Sequence, residues 1–148
     1  MAARMTVETR ISGSTADASP QLLDKLHEVF GFRSFRGVQQ QVVDRVMAGQ
    51  STLAVMPTGA GKSLTYQLPA TMLDGTCVVI SPLIALMYDQ LRSASANGIR
   101  AATLTSADEN RAETVQRLRA GELDLLYVAP ERASQSHFRD LLSQCRIA

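Results

Sequence analysis

The chain has 148 residues, 45% of them hydrophobic, with 15 basic against 14 acidic side chains. One domain with a sizeable core fits that length, and the near-neutral balance gives no bulk electrostatic argument for a nucleic-acid partner. No apolar run is long enough to span a bilayer, the N-terminus lacks a secretory apolar stretch, and Cys77, Cys145, His27 and His137 show no metal-ligand spacing.

Residues 1–18 are small, polar and aperiodic, and are expected to form a disordered tail. Ser19 then offers a helix cap with Pro20 in the first turn, and Leu22, Leu23, Leu26, Val29 and Phe30 share one face before Gly31. A linker over 32–36 leads to a second helix carrying Val38, Val42, Val43, Val46 and Met47, stopped by Gly49. Residues 52–55 read as a buried strand. Pro69 would end or kink the helix that starts near Leu64.

Residues 76–80 form a β-branched, apolar run suited to a parallel sheet covered on both faces. Cys77 within it is expected to be a core thiol. A helix over about 84–96 follows, closed by Asn97 and Gly98. A short strand is expected at 101–104. Ser106-Ala107-Asp108-Glu109 resembles a capping box that opens the next helix, which stops at Gly121. A further apolar strand spans 123–128, and a last helix over about 135–144 carries Phe138, Leu141 and Leu142. Strands alternating with helices predict an α/β fold with a mostly parallel sheet flanked by helices and joined by right-handed crossovers.

Met56-Pro57-Thr58-Gly59-Ala60-Gly61-Lys62-Ser63 lies between an expected strand and an expected helix. That context suits a phosphate-binding P-loop. The glycines let backbone amides approach phosphate oxygens, and the helix start adds donors. Lys62 would place an ammonium on the terminal phosphates of ATP, with the Ser63 hydroxyl on Mg²⁺. Met56 stands where the general pattern has Gly.

Four segments together resemble RecQ-type ATP-dependent DNA helicases of superfamily 2. Leu26-His27-Glu28-Val29-Phe30-Gly31-Phe32-Arg33-Ser34-Phe35-Arg36-Gly37-Val38-Gln39 resembles their N-terminal adenine-recognition motif. Met56 to Ser63 resembles motif I, where the first position is not reliably Gly. Ser81-Pro82-Leu83-Ile84-Ala85-Leu86-Met87-Tyr88-Asp89-Gln90 resembles motif Ia, and Tyr127-Val128-Ala129-Pro130-Glu131-Arg132 resembles motif Ib. The motifs occur in the family's order over roughly residues 22–132.

The resemblance implies a P-loop RecA-like fold and a set of roles. Phe32, Arg36 and Gln39 would meet adenine; Thr58, Gly59, Ala60, Gly61, Lys62 and Ser63 would hold the phosphates. A Gln amide pairs well with an adenine edge, and an aromatic ring stacks on a base. The plain alternative makes Phe32 and Phe35 core anchors and puts Gln39 on a solvated face; Phe35 is core under either reading. Ser81, Pro82, Leu83 and Arg132 would contact single-stranded DNA. The ordinary reading of Leu83, Leu86 and Leu91 is core packing, and Glu131 is expected to pair with a neighbouring Arg. Duplex DNA would be unwound 3′ to 5′, in the cytoplasm and on the nucleoid of a bacterium or in a nucleus.

Hydrolysis also needs a strand-end acid for Mg²⁺. The strands at 76–80 and 123–128 end in Ser81-Pro82 and Ala129-Pro130-Glu131 instead. By resemblance the family's Asp-Glu-Ala-His motif II would follow Ala148. The chain is thus expected to be the front part of a first motor domain, with 19–148 incomplete at the C-terminus, unable to hydrolyse ATP alone and prone to self-association. Two other classes compete. A small P-loop kinase or NTPase would explain Gly59 to Ser63 but not the other motifs. A non-enzymatic nucleotide-binding fragment would need no acid.

Overall fold

Helix α1 (Pro20–Phe30) starts where its local chemistry dictates. The Ser19 hydroxyl accepts from the Leu22 amide at 3.3 Å, and Gly31 closes the helix at φ 73°. Such a cap is worth about 1 kcal/mol. In this computed structural model the described residues are 18–148. The expected tail therefore lies outside them except for Ala18, which packs beside α1.

Helix α2 (Gln39–Met47) and α3 (Leu64–Ala70) follow, and with α1 they enclose a small core of Leu22, Leu26, Val43, Leu64 and Leu68. Phe35 packs against this cluster, as its core reading expects. Pro69 sits in the last turn of α3 rather than kinking it midway.

Next come β1 (Cys77–Ile80), α4 (Ile84–Ala96), β2 (Ala101–Leu104), α5 (Arg111–Arg119), β3 (Leu125–Val128), α6 (Pro130–Ala133) and α7 (Ser136–Ser143). Among the described residues the sheet has three parallel strands in the order β1-β3-β2. β3 is central and fully buried. Alternation along it divides the core in two. Leu125 and Tyr127 face Met87, Ala94 and Ile99 on the α4 side, whereas Leu126 and Val128 face Leu118 and Phe138 on the α5–α7 side.

Several sequence expectations are corrected here. Residues 52–55 form no strand, and Leu53 and Val55 are 89% and 87% exposed. A parallel strand needs a neighbour to accept its hydrogen bonds, and this segment pairs with none. β1 is only partly covered, because its outer edge carries a single bridge, Thr76 to Ile147. Gly75 permits that bridge: at φ 123° it lets Arg146 and Ala148 come within 3 Å of where a Cβ would sit.

The expected capping box at 106–109 is a loop, and α5 starts four residues beyond Ala107 without a side-chain cap. The Asp108 carboxylate instead accepts from the Thr105 amide, the Thr103 hydroxyl and the Tyr88 hydroxyl. Local side-chain bonds of this kind compete with helix initiation. On α4 the buried residues are Met87 and Ala94, while Leu83 and Leu86 are 60% and 44% exposed and lie outside the core.

Candidate functional site

The phosphate loop lies between Met56, which is buried, and α3. Gly59 and Gly61 adopt φ 80° and 73°, the left-handed region that favours glycine. Among the described residues no backbone carbonyl accepts a hydrogen bond from the amides of Gly61, Lys62 or Ser63. The Lys62 side chain forms no ion pair among the described residues. A row of free donors beside an unpaired ammonium is the donor set an anionic polyphosphate needs.

Gln39 holds this loop from behind. Its Nε2 donates to the carbonyls of Ala60 and Gly61, both at 3.2 Å, and its Oε1 accepts from the Arg36 amide at 2.8 Å. At 5% exposure it is not on a solvated face, which removes that plain reading. A Cβ on Gly61 would lie 2.2 Å from Gln39 Nε2, so glycine is required there for close approach as well as for φ.

A cavity of about 340 Å³ joins the two groups, lined by Phe32, Arg36, Gln39, Gly59, Ala60, Gly61 and Ser63 among others. Phe32 is 43% exposed, and the Arg36 guanidinium lies 5.5 Å from its ring centroid, a cation–π arrangement. Phe32 is therefore no core anchor. Thr58 is exposed and does not line this cavity.

A second cavity, about 280 Å³, lies between the loop and β1, with Lys62 and Ser63 on one wall and Ser81 on the other. Among the described residues no Asp or Glu lines either cavity. The described residues thus offer Mg²⁺ the Ser63 hydroxyl but no carboxylate there, a poor match to the oxygen-rich set the ion prefers.

Pro82 and Arg132 border a third cavity of about 360 Å³ with Arg111, Ser106 and Gln135. Arg132 Nη1 reaches Gln135 Oε1 at 3.4 Å, while its Nε is buried without a partner. Leu83 projects outside the three cavities. Glu131 forms no ion pair among the described residues, contrary to the expected Arg partner. The loop carrying Ser81 is tied to the motif Ib strand through Ser81 N–H to the Val128 carbonyl at 3.1 Å.

Sequence reasoning assigned no role to the polar side chains between these cavities. Tyr66 and Gln67 on α3, Gln90 on α4 and Tyr127 on β3 form one hydrogen-bonded group. Burial pushes the Tyr66 phenol well above its ordinary range, with its Tyr127 contact adding to the effect, so it stays a protonated donor. The available signal was Gln67 beside Leu68, Pro69 and Ala70 in α3. Burial likewise raises the Cys77 thiol, which keeps it un-ionised and agrees with a packing role.

Among the described residues no helix is long and apolar enough to cross a membrane. Residues 36–147 match the DEAD/DEAH box helicase family. The chain is 44% identical over 128 residues to "ATP-dependent DNA helicase RecQ" of Pasteurella multocida, covering 85% of this chain and 20% of that protein. It is 41% identical over 136 residues to "ATP-dependent DNA helicase Q-like 5" of Arabidopsis thaliana, covering 90% and 15%. The chain thus spans about a fifth or less of the length of these relatives. Its fold resembles the crystal structure of a hypothetical ATP-dependent RNA helicase from Sulfolobus tokodaii, with a TM-score of 0.64 at 20% identity over 85% of this chain and 39% of that one. With its α/β P-loop architecture, the chain belongs to the DEAD/DEAH box helicase family and is a RecQ-type N-terminal helicase segment.

Proposed function

We propose that this chain is the nucleotide-binding front of an ATP-dependent DNA helicase motor, residues 19–148 forming part of its first RecA-like domain. The single observation that carries this reading is the cavity in which Phe32, Arg36 and Gln39 meet Gly59, Ala60, Gly61 and Ser63. A base-sized aromatic and amide surface beside free loop amides suits a nucleoside triphosphate better than either half would alone.

The chain's own groups divide the work. Lys62 and the amides of Gly61 and Ser63 neutralise and hold the phosphates. Gln39 keeps the loop in shape by bonding two of its carbonyls, and its Oε1, beside the bond from the Arg36 amide, has a second lone pair for adenine. Phe32 and Arg36 bracket the base. Thr58, although exposed, lies within the loop and contacts its ligand at the rim. Mg²⁺ would take the Ser63 hydroxyl as one ligand and would supply charge neutralisation when bound. No carboxylate accompanies Ser63, so the proposed activity of this chain by itself is binding rather than turnover.

On the other side, Ser81, Pro82, Leu83 and Arg132 contact single-stranded DNA. The position of Arg132 beside Pro82 on the rim of one cavity supports a phosphate role for that side chain. Duplex unwinding with 3′ to 5′ polarity belongs to the longer motor, on the DNA of the nucleoid or nucleus.

Titration of the chain with a fluorescent ATP analogue and a labelled oligothymidylate tests the reading. Lys62→Ala is expected to weaken nucleotide binding at least roughly tenfold, one lost charge-assisted contact, and to leave oligonucleotide affinity unchanged. Unaltered nucleotide affinity in Lys62→Ala would sink the P-loop assignment.

A further inference from the structure

The phosphate loop and the two segments assigned to the single strand share no residue, yet one small polar group touches all three elements behind them. Tyr66 and Gln67 lie on the first turn of α3, where the Gln67 backbone N–H donates to the Ser63 carbonyl at 2.9 Å. Gln90 lies on α4, the helix that follows Ser81 and Pro82. Tyr127 lies on β3, which runs into Pro130 and Arg132.

Their bonds interlock. Gln90 Oε1 accepts from the Tyr66 hydroxyl at 2.9 Å and from Gln67 Nε2 at 3.4 Å. Gln67 Nε2 also donates to the Tyr127 hydroxyl at 3.2 Å, and the Tyr66 and Tyr127 rings meet edge to face at 6.4 Å. Gln67 and Tyr127 are 2% and 1% exposed, so water cannot replace a lost partner. Tyr66, Gln90 and Tyr127 also wall the cavity between Lys62 and Ser81, and Gln67 lines the cavity beside Gln39.

We infer that the Tyr66–Gln67–Gln90–Tyr127 network is a positioning device that couples nucleotide occupancy of the phosphate loop to the geometry of the nucleic-acid loops. The inference rests on the functional reading above. Hydrogen bonds tolerate only a few tenths of an ångström before they weaken. Sliding α3 against α4 or β3 would leave the Gln67 amide buried and unpaired. The three elements therefore shift together or exchange partners as a unit, and a change at Ser63 reaches Ser81 and Arg132 through the Gln90 and Tyr127 ends. Coupling through a shared element is reciprocal: each ligand changes the other's affinity by the same factor.

The test is a double-mutant cycle on the chain, using the fluorescent ATP analogue with Mg²⁺ and the oligothymidylate. Gln90→Leu removes the shared acceptor at a half-buried position. Tyr66→Phe removes one donor and keeps the ring contact, so it guards against a folding failure in the first variant. In the parent, saturating oligonucleotide is expected to change nucleotide affinity by roughly fivefold or more. Either variant brings that ratio below about twofold, and the double variant loses no more than the single ones. A purely structural role would lower Tm and leave the ratio unchanged, which overturns the inference. So would additive losses from the two substitutions. A parent that binds both probes independently overturns the coupling alone, whereas a parent that binds neither overturns the functional reading and this inference with it.

Discussion

Gln39 occupies three hydrogen-bonding sites at once, and that decides what its substitution does. Replacing it with Leu removes the bonds to the Ala60 and Gly61 carbonyls and to the Arg36 amide. The Arg36 turn and the loop then lose the link that Gln39 makes between them, at a cost of roughly 1–3 kcal/mol. Gln39→Leu is expected to lower Tm and to weaken binding of both ATP and inorganic triphosphate. A residue that served the base alone would weaken ATP and leave triphosphate untouched, so the pair of isothermal titrations tells loop support from base reading. The same geometry explains Gly61, where any side chain meets Gln39 Nε2.

The loop between β2 and α5 is held by one carboxylate rather than by a helix cap. Asp108 ties Thr103 and Thr105 of its own segment to Tyr88 on α4. Burial pushes its carboxyl up, but the hydrogen bonds from Tyr88, Thr105 and Thr103 outweigh burial and hold it below the ordinary 3.8. A depressed carboxyl stabilises the fold above its unfolded value and loses that contribution as pH falls toward its folded value. Asp108→Ala is expected to cost roughly 1–3 kcal/mol at pH 7. Thermal melts of parent and variant are expected to converge as pH drops from 5 to below 3.8. A gap that stays constant over that range would remove Asp108's charge from the account.

At the scale of the whole molecule, the two edges of the sheet differ in their cover: β2 is mostly buried and β1 is not. Among the described residues β3 is buried in the middle, whereas β1 presents an edge bridged only at Thr76, with Ile80 at 58% exposure and the unpaired segment 52–55 exposed. An open parallel edge with apolar neighbours is a template for another strand. We therefore predict concentration-dependent association of this chain in sedimentation velocity. Ile80→Lys, on the exposed edge, is expected to shift the population toward monomer with a Tm change within about 0.5 kcal/mol equivalent. A parent that stays monomeric and melts in one sharp transition at all concentrations would contradict the prediction.

Much of the fold was legible because its cues are local. Ser19, Pro20 and Gly31 delimit α1, and the β-branched and apolar runs mark β1 and β3 within a few residues. The P-loop and its glycines follow from sequence for the same reason: a turn that needs positive φ needs Gly. Residues 52–55 were misjudged because a strand is a property of a pair, and composition does not say whether a partner is present. Ser106 to Glu109 were misjudged because the Asp108 carboxylate bonds Tyr88, 20 residues away. The sequence by itself determined most of the elements, the parallel α/β class and the P-loop, since each rests on neighbours along the chain. Only the tertiary structure decided that Gln39 braces that loop, that β1 is an edge, and that Gln67 joins Gln90 and Tyr127, because those contacts join residues brought together only by packing.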